Sequence, residues 1–343
     1  MRSALVATVT AVVLAGCTSE APEAGPEPSP STSAPSAASS SPAPPTTPAP
    51  TEAPPADPNS LPALFDENVI GGDLERVRDL GGTDAYTRHE VTYRSGDLRI
   101  SGQLLVPSGD GPHPGVVLNH GYIDPAVYVN GQGMPREQDY LAREGFVVLH
   151  VDYRGHASSD DTDELDLELR LGYARDSIAA VKTLRTLDDV DPERIGMLGR
   201  SMGGGVTLNA LVADPDIVKA AVIHSSVSSR FVDNFRRWTE PGRPDEATAI
   251  EQRFGAIEES PDFWRGVSAR TYFDRVDASL LMVHGALDES CPVGWARGTE
   301  SALKAAGADA ELVVYDTEGH TFAGQWADKM ERTVDFLRER LDA

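Results

Sequence analysis

The stretch Arg194-Ile195-Gly196-Met197-Leu198-Gly199-Arg200-Ser201-Met202-Gly203-Gly204-Gly205 decides the fold. Its first residues have the short apolar pattern of a buried strand, and residues 203–212 have the spacing of a helix. Between them, Gly199-Arg200-Ser201-Met202-Gly203 fits the pattern G-x-S-x-G, in which a serine occupies a strained strand-to-helix turn. The serine hydroxyl is then exposed near the positive end of the helix dipole. The stretch therefore predicts Ser201 as a nucleophile.

Short apolar strands alternate with helices on both sides of this turn. Strands are predicted at 115–119, 145–151, 218–224, 279–284 and 311–315, and helices at 169–187 and 325–341. Two alternating segments, 88–93 and 99–106, surround a Ser-Gly-Asp turn and predict a hairpin. This order predicts an α/β fold with a mostly parallel central sheet, helices on both faces and antiparallel strands at one edge.

A serine hydroxyl becomes nucleophilic when a base removes its proton and a carboxylate orients that base. His320 follows the last predicted strand on a glycine-containing loop, so it is expected to reach the strand ends where Ser201 lies. Asp288 follows the strand at 279–284 and is the favoured carboxylate, with Glu289 and Asp316 as competitors. The sequence thus predicts a catalytic set of Ser201, Asp288 and His320.

An oxyanion in such a reaction needs two hydrogen-bond donors. His120-Gly121-Tyr122 ends an early predicted strand, where a loop that supplies one of them belongs. The backbone N–H groups of Tyr122 and Met202 are the predicted donors, and the Tyr122 hydroxyl is an alternative. His120 is expected to support the loop by hydrogen bonding. The motif also fits a purely structural turn at the end of a strand.

Five motifs taken together resemble one family. They are Asn119-His120-Gly121-Tyr122, Asp152-Tyr153-Arg154-Gly155-His156, the pentapeptide around Ser201, His284-Gly285-Ala286-Leu287-Asp288 and Glu318-Gly319-His320. Over residues 85–343 the chain is similar to the catalytic domain of the prolyl-oligopeptidase-type serine hydrolases, and also to dienelactone-hydrolase-like esterases. The resemblance implies the α/β-hydrolase fold, a triad of Ser201, Asp288 and His320, and a structural turn at 152–155.

Two departures from that family bear on the substrate. Prolyl oligopeptidases carry a large β-propeller that gates access to small peptides, and their aminopeptidase relatives hold the substrate amine with acidic residues from it. In this chain, a Pro-rich segment is expected ahead of the catalytic domain, where those proteins have the propeller. In the oxyanion loop, Tyr122 replaces the second glycine of His-Gly-Gly versions. Both departures favour hydrolysis of carboxylic esters through an acyl-enzyme. Cleavage of short peptides is the alternative, and a non-catalytic surface-binding protein on the same scaffold is a third interpretation.

Residues 225–277 separate two predicted strands by more than a plain connection requires. In the resembled fold such an insertion commonly forms a small cap over the active site. Its aromatic side chains Phe231, Phe235 and Trp238 are therefore predicted to bind substrate. The alternative is that these aromatic side chains simply pack on the body of the domain.

Composition narrows the partners. The formal charge of −24 over 343 residues disfavours nucleic acid and anionic lipid headgroups. Two cysteines, Cys17 and Cys291, exclude a disulfide framework and a cysteine-rich zinc site, and the scattered histidines suggest no metal centre. Cys291 is expected to be a small buried side chain. Neither a metal nor a cofactor is predicted, and the expected partner is a small-molecule ester or a short peptide.

The N-terminus predicts export. Met1-Arg2 is followed by an apolar stretch at 5–14, which is too short to span a bilayer. Leu14-Ala15-Gly16-Cys17 resembles the bacterial lipobox. The resemblance implies a signal peptide at 1–16 and a mature Cys17 that carries diacylglycerol on its sulfur, anchoring the protein at the extracellular face of the bacterial membrane. An ordinary secretory signal is the alternative.

Residues 17–60 are predicted to be a disordered tether, ahead of a catalytic domain at 61–343. About half of the 25 prolines fall before residue 60, and aromatic and branched aliphatic residues are scarce there. Such a segment buries too little surface to offset its ordering entropy. At about 3.1 Å per residue, some 40 residues reach roughly 100 Å.

Overall fold

The structure is a computed structural model that describes residues 57–162 and 169–343. The predicted signal peptide, Cys17 and nearly all of the predicted tether lie outside these residues. Ser60, at the end of the predicted tether, is buried beside Leu61, which packs in the core. In the described part of the chain, no helix combines the length and apolar character needed to cross a bilayer.

A nine-stranded sheet forms the centre, in the order β1-β2-β3-β5-β4-β6-β7-β8-β9. The strands are β1 Glu75–Thr83, β2 Tyr86–Ser95, β3 Leu98–Pro107, β4 His113–Asn119, β5 Val147–Val151, β6 Val190–Arg200, β7 Ala220–His224, β8 Ser279–Gly285 and β9 Ala310–Tyr315. The pairs from β5 through β9 are parallel, while β1, β2 and β3 form an antiparallel edge and β3 pairs antiparallel with β5. The predicted mostly parallel sheet is confirmed.

The predicted hairpin is β2 and β3, in continuous register from Tyr86 opposite Pro107 to Ser95 opposite Leu98. Strand β1 was not predicted. It forms the outer edge, its side chains are almost all exposed, and two register irregularities interrupt its pairing with β2. An exposed strand has no apolar alternation, so the sequence pattern gives no signal for it.

Helices cover both faces of the sheet, as predicted. They are α1 Pro135–Arg143, α2 Leu171–Leu184, α3 Met202–Ala213, α4 Pro244–Phe254, α5 Val293–Ala305 and α6 Trp326–Leu341. One apolar cluster lies under α2 and α3, with Ile178 and Val206 at its centre, and the other lies under α1 and α6, with Leu141 and Leu337. These layers are those of the α/β-hydrolase fold.

The segment 225–277 consists largely of short helices. They are Phe231–Asn234, Phe235–Thr239, Glu240–Gly242, α4, Pro261–Gly266 and Ala269–Arg275. Proline opens several of them at the first or second position, where its missing N–H and fixed φ suit a helix start. The segment lies between β7 and β8, both of which end at the edge of the sheet that holds Ser201.

Candidate active site

Ser201 occupies the tight turn between β6 and α3, with φ 56° and ψ −119°. Its N–H donates to the His224 carbonyl at 2.9 Å, and its own carbonyl accepts from Gly204 N at 3.0 Å. A non-glycine residue at positive φ is strained, and strain of this kind is held by surrounding structure at functional sites. Gly203 makes the turn possible, because a Cβ there would collide with the Asn119 carbonyl at the end of β4.

His320 and Asp288 lie on the loops after β9 and β8, and the structure brings them together. The Nδ1 of His320 is 2.9 Å and 3.0 Å from the two carboxylate oxygens of Asp288. The competing carboxylates Glu289 and Asp316 are exposed. An aspartate in this position fixes the orientation of the imidazole ring and stabilises its protonated form.

Asp288 is held by more than His320. It is 7% exposed, and one of its oxygens accepts the N–H groups of Ser290 at 2.9 Å and Cys291 at 2.7 Å. His284 Nε2 lies 3.2 Å from the other oxygen. Burial opposes ionisation of this carboxyl, but the hydrogen bonds from His284, His320 and the Cys291 amide outweigh it and hold its pKa well below the usual range. Asp288 is therefore a carboxylate at neutral pH.

Glu318 organises the loop that carries His320. Its side chain is almost fully buried and accepts three backbone N–H groups, from Ala323 at 2.7 Å, Gly324 at 3.0 Å and Gln325 at 2.6 Å. These amides immediately precede α6, where helix N–H groups have no intrahelical acceptor and favour a negative charge. Glu318 belongs to one of the family-like motifs, but the sequence alone does not predict this function for it.

A cavity of about 500 Å³ opens over Ser201. Ser201 and His320 both line it, together with Gly121, Tyr122, Trp238 and Ser290. Among the contacts of the described residues, none is a hydrogen bond between the Ser201 hydroxyl and the His320 ring. Such contacts are often long in a substrate-free site and tighten when the reacting complex forms. A cavity of this size accommodates a small molecule or a short peptide segment.

The loop 120–122 lies against the nucleophile. A Cβ built on Gly121 would be 3.2 Å from Ser201 Cβ, so only glycine fits without a shift of its neighbours. Met202 is the first residue of α3, and its N–H is one of those that lack an acceptor within a helix. Tyr122 is 52% exposed on the cavity wall, and the Arg243 guanidinium lies 5.3 Å from its ring centroid. The backbone around Tyr122 and Met202 thus borders Ser201 on two sides.

His120 and Asp152 support that loop from below. His120 Nδ1 lies 2.6 Å from the Gly121 carbonyl, and its ring stacks on Tyr128 and packs at a tilt on Tyr153. Burial, followed by the neighbouring histidines, lowers the pKa of His120 to about 3, so the ring is neutral. Asp152 accepts the Tyr128 hydroxyl at 2.8 Å and the Gly131 N–H at 2.8 Å. These contacts fix the backbone that follows β4.

Two of the three predicted substrate-binding aromatics are not on the cavity wall. Phe235 is 0% exposed with its ring 4.7 Å from that of Trp264, and Phe231 is buried against the same tryptophan. Phe231 and Phe235 thus pack on a third aromatic side chain and do not line the cavity over Ser201, and their contact with substrate stays a prediction. Trp238 does line the cavity, and Trp295 packs edge-on against it at 5.5 Å.

Three arginines that the sequence does not predict as site residues also line the cavity. They are Arg170, before α2; Arg200, beside the nucleophile; and Arg243, before α4. Arg200 donates to the Gly133 carbonyl at 2.6 Å. Only Arg200 stood in a recognised motif, at a position where the motif accepts any residue. Arg170 and Arg243 come from distant segments that the fold brings together.

The sequence profile of the prolyl oligopeptidase family, peptidase S9, matches residues 133–343. The chain belongs to the prolyl oligopeptidase family. It is a serine hydrolase, and both peptidases and esterases are among the proteins it is similar to. Membership of a family of enzymes favours the catalytic interpretation over the non-catalytic one.

The similar proteins differ in length and in chemistry. The uncharacterized peptidase YuxL of Bacillus subtilis is 27% identical over 259 residues, which is 71% of this chain and 38% of YuxL. Among solved structures, acetyl xylan esterase 1 from a Thermoanaerobacterium species has a TM-score of 0.61 at 19% identity and covers 79% of this chain and 89% of its own. The acylaminoacyl peptidase of Pyrococcus horikoshii has a TM-score of 0.60 at 22% identity, covering 75% and 42%. At these identities the two structures support the fold alone.

Proposed function

We propose that the protein hydrolyses carboxylic esters through Ser201, His320 and Asp288. The observation that carries the choice of esters is the cavity wall over Ser201. Among the described residues, this wall contains Trp238, Tyr122 and three arginines. None of its described residues is an aspartate or a glutamate. An aminopeptidase site needs a negative group to hold the substrate's free α-amine, whereas an ester needs none. The described carboxylates Asp124, Asp161 and Glu246 line an adjoining groove that also includes Tyr122 and Arg243.

The proposed reaction is acyl transfer to water. His320 accepts the Ser201 proton as the Ser201 oxygen attacks the carbonyl carbon, and Asp288 stabilises the resulting imidazolium. The N–H groups of Tyr122 and Met202 bind the oxyanion. Loss of one such donor typically costs about 100- to 1000-fold in rate. His320 then protonates the leaving alcohol, and a water molecule repeats the sequence on the acyl-enzyme to release the acid.

Peptide hydrolysis is the second candidate, and the family supports it. The matching profile is that of a peptidase family, and YuxL is named as a peptidase. The same residues perform the chemistry on an amide, with His320 protonating a leaving amine. The chain spans only 38% of YuxL, so the activity of that whole protein does not transfer directly.

Two measurements test this proposal. A fluorophosphonate probe should label the wild-type protein and leave Ser201→Ala unlabelled; equal labelling of both would remove Ser201 as the nucleophile. Short-chain p-nitrophenyl esters and aminoacyl p-nitroanilides, assayed as kcat/KM against acyl groups of matched size, separate the two substrates. Turnover of anilides that exceeds turnover of esters, after correction for their uncatalysed rates, would overturn the choice of esters.

We further propose that Cys17 carries a lipid that holds the domain at the extracellular face of the bacterial membrane, as the lipobox-like tetrapeptide suggests. One acyl chain binds a membrane only marginally, and a diacylglycerol supplies two. Metabolic labelling with a fatty-acid analogue should mark the wild-type chain and not Cys17→Ser. Label that persists in the variant would exclude lipidation at Cys17.

A further inference from the structure

Cys291 places a thiol inside the candidate active site. Its sulfur, one oxygen of Asp288 and one ring nitrogen of His320 all lie within 4.8 Å of one another. We propose that Asp288, Cys291 and His320 form an inhibitory site for a thiophilic divalent cation such as Zn²⁺, which inactivates the hydrolase reversibly. The inference rests on the proposed role of His320 and Asp288 in the reaction.

The donor set suits zinc rather than a hard cation. Zn²⁺ binds thiolate, imidazole and carboxylate, and a site with three protein ligands leaves a fourth position for water. Mg²⁺ and Ca²⁺ prefer oxygen donors alone. Three residues from two loops therefore present one sulfur, one nitrogen and one oxygen atom to a common point.

The Cys291 thiol must lose its proton for the metal to bind. Burial raises the pKa of this thiol to about 12, and the nearby Asp288 charge acts in the same direction, while the Ser201 hydroxyl acts as a hydrogen-bond partner that lowers it. In the proposed step the thiol proton leaves to solvent and the sulfur forms a bond to the metal. The Nδ1 proton of His320 moves to Nε2, so that the ring binds as a neutral ligand.

The geometry requires only a small movement. Metal–ligand bonds of 2.0–2.3 Å place the ligand atoms of a tetrahedral site about 3.3–3.8 Å apart. The 2.9 Å and 3.0 Å separations between His320 and Asp288 must open by a few tenths of an ångström, and the sulfur must approach. His320 lines the open cavity with its side chain 16% exposed, so a cation has a path to it.

Bound metal would stop the proposed reaction at its first step. With Nδ1 bonded to the metal, His320 no longer donates to Asp288 and loses the orientation that lets it accept the Ser201 proton. The metal also draws electron density from the ring and weakens it as a base. Removal of the cation by a chelator restores the hydrogen bond, so the inhibition reverses.

The test uses the full chain in a Cys17→Ser background, in which Cys291 is the remaining cysteine. Ester hydrolysis is titrated with Zn²⁺ in a non-chelating buffer, each variant against its own metal-free rate. Cys291→Val should raise the half-inhibiting Zn²⁺ concentration at least about tenfold, since even changes outside a ligand set cost 10- to 100-fold in metal affinity. His113→Gln, at the opposite end of β4, is the matched control and should leave it unchanged. Equal inhibition of wild type and Cys291→Val overturns the proposal.

A second measurement does not depend on activity. Co²⁺ added to the Ser201→Ala protein should produce the near-ultraviolet charge-transfer absorption of a thiolate–cobalt bond, and Cys291→Ser should abolish it. If the Cys17→Ser, Ser201→Ala protein, which retains Cys291, does not show this absorption, the proposed metal site is wrong. The two proposals can fail separately. If the absorption appears but the protein with Ser201 hydrolyses neither esters nor anilides, the metal site stands and the proposed function is wrong.

Discussion

Replacing Glu318 tests how the His320 loop is held. Glu318→Ala removes a buried carboxylate that accepts the N–H groups of Ala323, Gly324 and Gln325. Three charge-assisted hydrogen bonds, each contributing about 1.5–3 kcal/mol, set an upper limit of roughly 5–9 kcal/mol on the loss. That limit assumes that the three amides stay buried without partners.

The exposure of the three partners reduces this figure. Ala323, Gly324 and Gln325 are all exposed, so water reaches their N–H groups once the carboxylate is gone. The loss then resembles that of a helix N-cap, which is about 0.5–2 kcal/mol. We therefore expect Glu318→Ala to lower the free energy of unfolding by about 2 kcal/mol, because the buried side chain also leaves a space behind it. Glu318→Gln, which keeps an acceptor oxygen, should lose about half as much.

The effect on catalysis should exceed the effect on stability. A displacement of about 1 Å in a catalytic group costs on the order of 100-fold, and His320 lies two residues from Glu318. Glu318→Ala should lower kcat about 10- to 100-fold with little change in KM, because Glu318 itself does not line the cavity.

The assay pairs urea unfolding with ester hydrolysis, the latter at a temperature where both proteins are folded. Glu311→Ala, an exposed glutamate on β9, is the control and should change the free energy of unfolding by less than about 0.5 kcal/mol. A Glu318→Ala protein with wild-type kcat and wild-type stability would refute the assigned function of this side chain.

Three further changes test other parts of the structure. Gly203→Ala should destabilise the protein by about 3 kcal/mol and abolish fluorophosphonate labelling, because the new Cβ collides with the Asn119 carbonyl; urea unfolding and gel fluorescence measure both. Lys329→Met should lower the free energy of unfolding by up to about 3 kcal/mol, because it removes the lysine that lies 3.5 Å from buried Glu137. Adding Glu137→Gln should recover most of that loss, which a double-mutant cycle measures. Asp288→Asn should lower kcat by about 10⁴. Because the folded pKa of Asp288 is below its unfolded value of about 3.9, the stability that its ionisation provides is present above that value. The stability difference between wild type and Asp288→Asn should therefore narrow as pH falls from 5 toward 2, and a constant difference would contradict the assignment.

The sequence was sufficient for the framework because its signals are local. The strand, turn and helix around Ser201 lie within about twenty consecutive residues, and the apolar runs of β4 to β9 alternate with amphipathic helices. Asp288 and His320 could be predicted because parallel strands end at a common edge, so a residue that follows one strand meets residues that follow its neighbours. The structure settles the choice between the adjacent residues Asp288 and Glu289, because Asp288 is buried and Glu289 is exposed.

The remaining features depend on contacts between distant segments. Phe235 and Trp238 are three residues apart and both aromatic, yet one packs on Trp264 in the core and the other lines the cavity. No periodicity distinguishes them, because that part of the chain is a series of short helical segments rather than one amphipathic helix. Cys291 likewise was expected to be buried, which is correct, but its position within 4.8 Å of Asp288 and His320 follows from the turn at 288–291.

Buried carboxylates explain how an acidic chain builds this site. Asp152 accepts a backbone N–H group of the loop that carries the candidate oxyanion donor, and Glu318 accepts N–H groups of the loop that carries the candidate base. Asp288 accepts N–H groups of its own loop. Backbone amides provide fixed donors at no cost in side-chain entropy, so each loop is held by local geometry that is insensitive to salt. Arg200 adds a hydrogen bond to the Gly133 carbonyl of the segment that Asp152 holds, and it also lines the cavity. Substitution of any of the three carboxylates should therefore displace a loop and lower kcat, whereas substitution of Arg170 or Arg243 on the cavity wall should change which substrates bind and appear in KM.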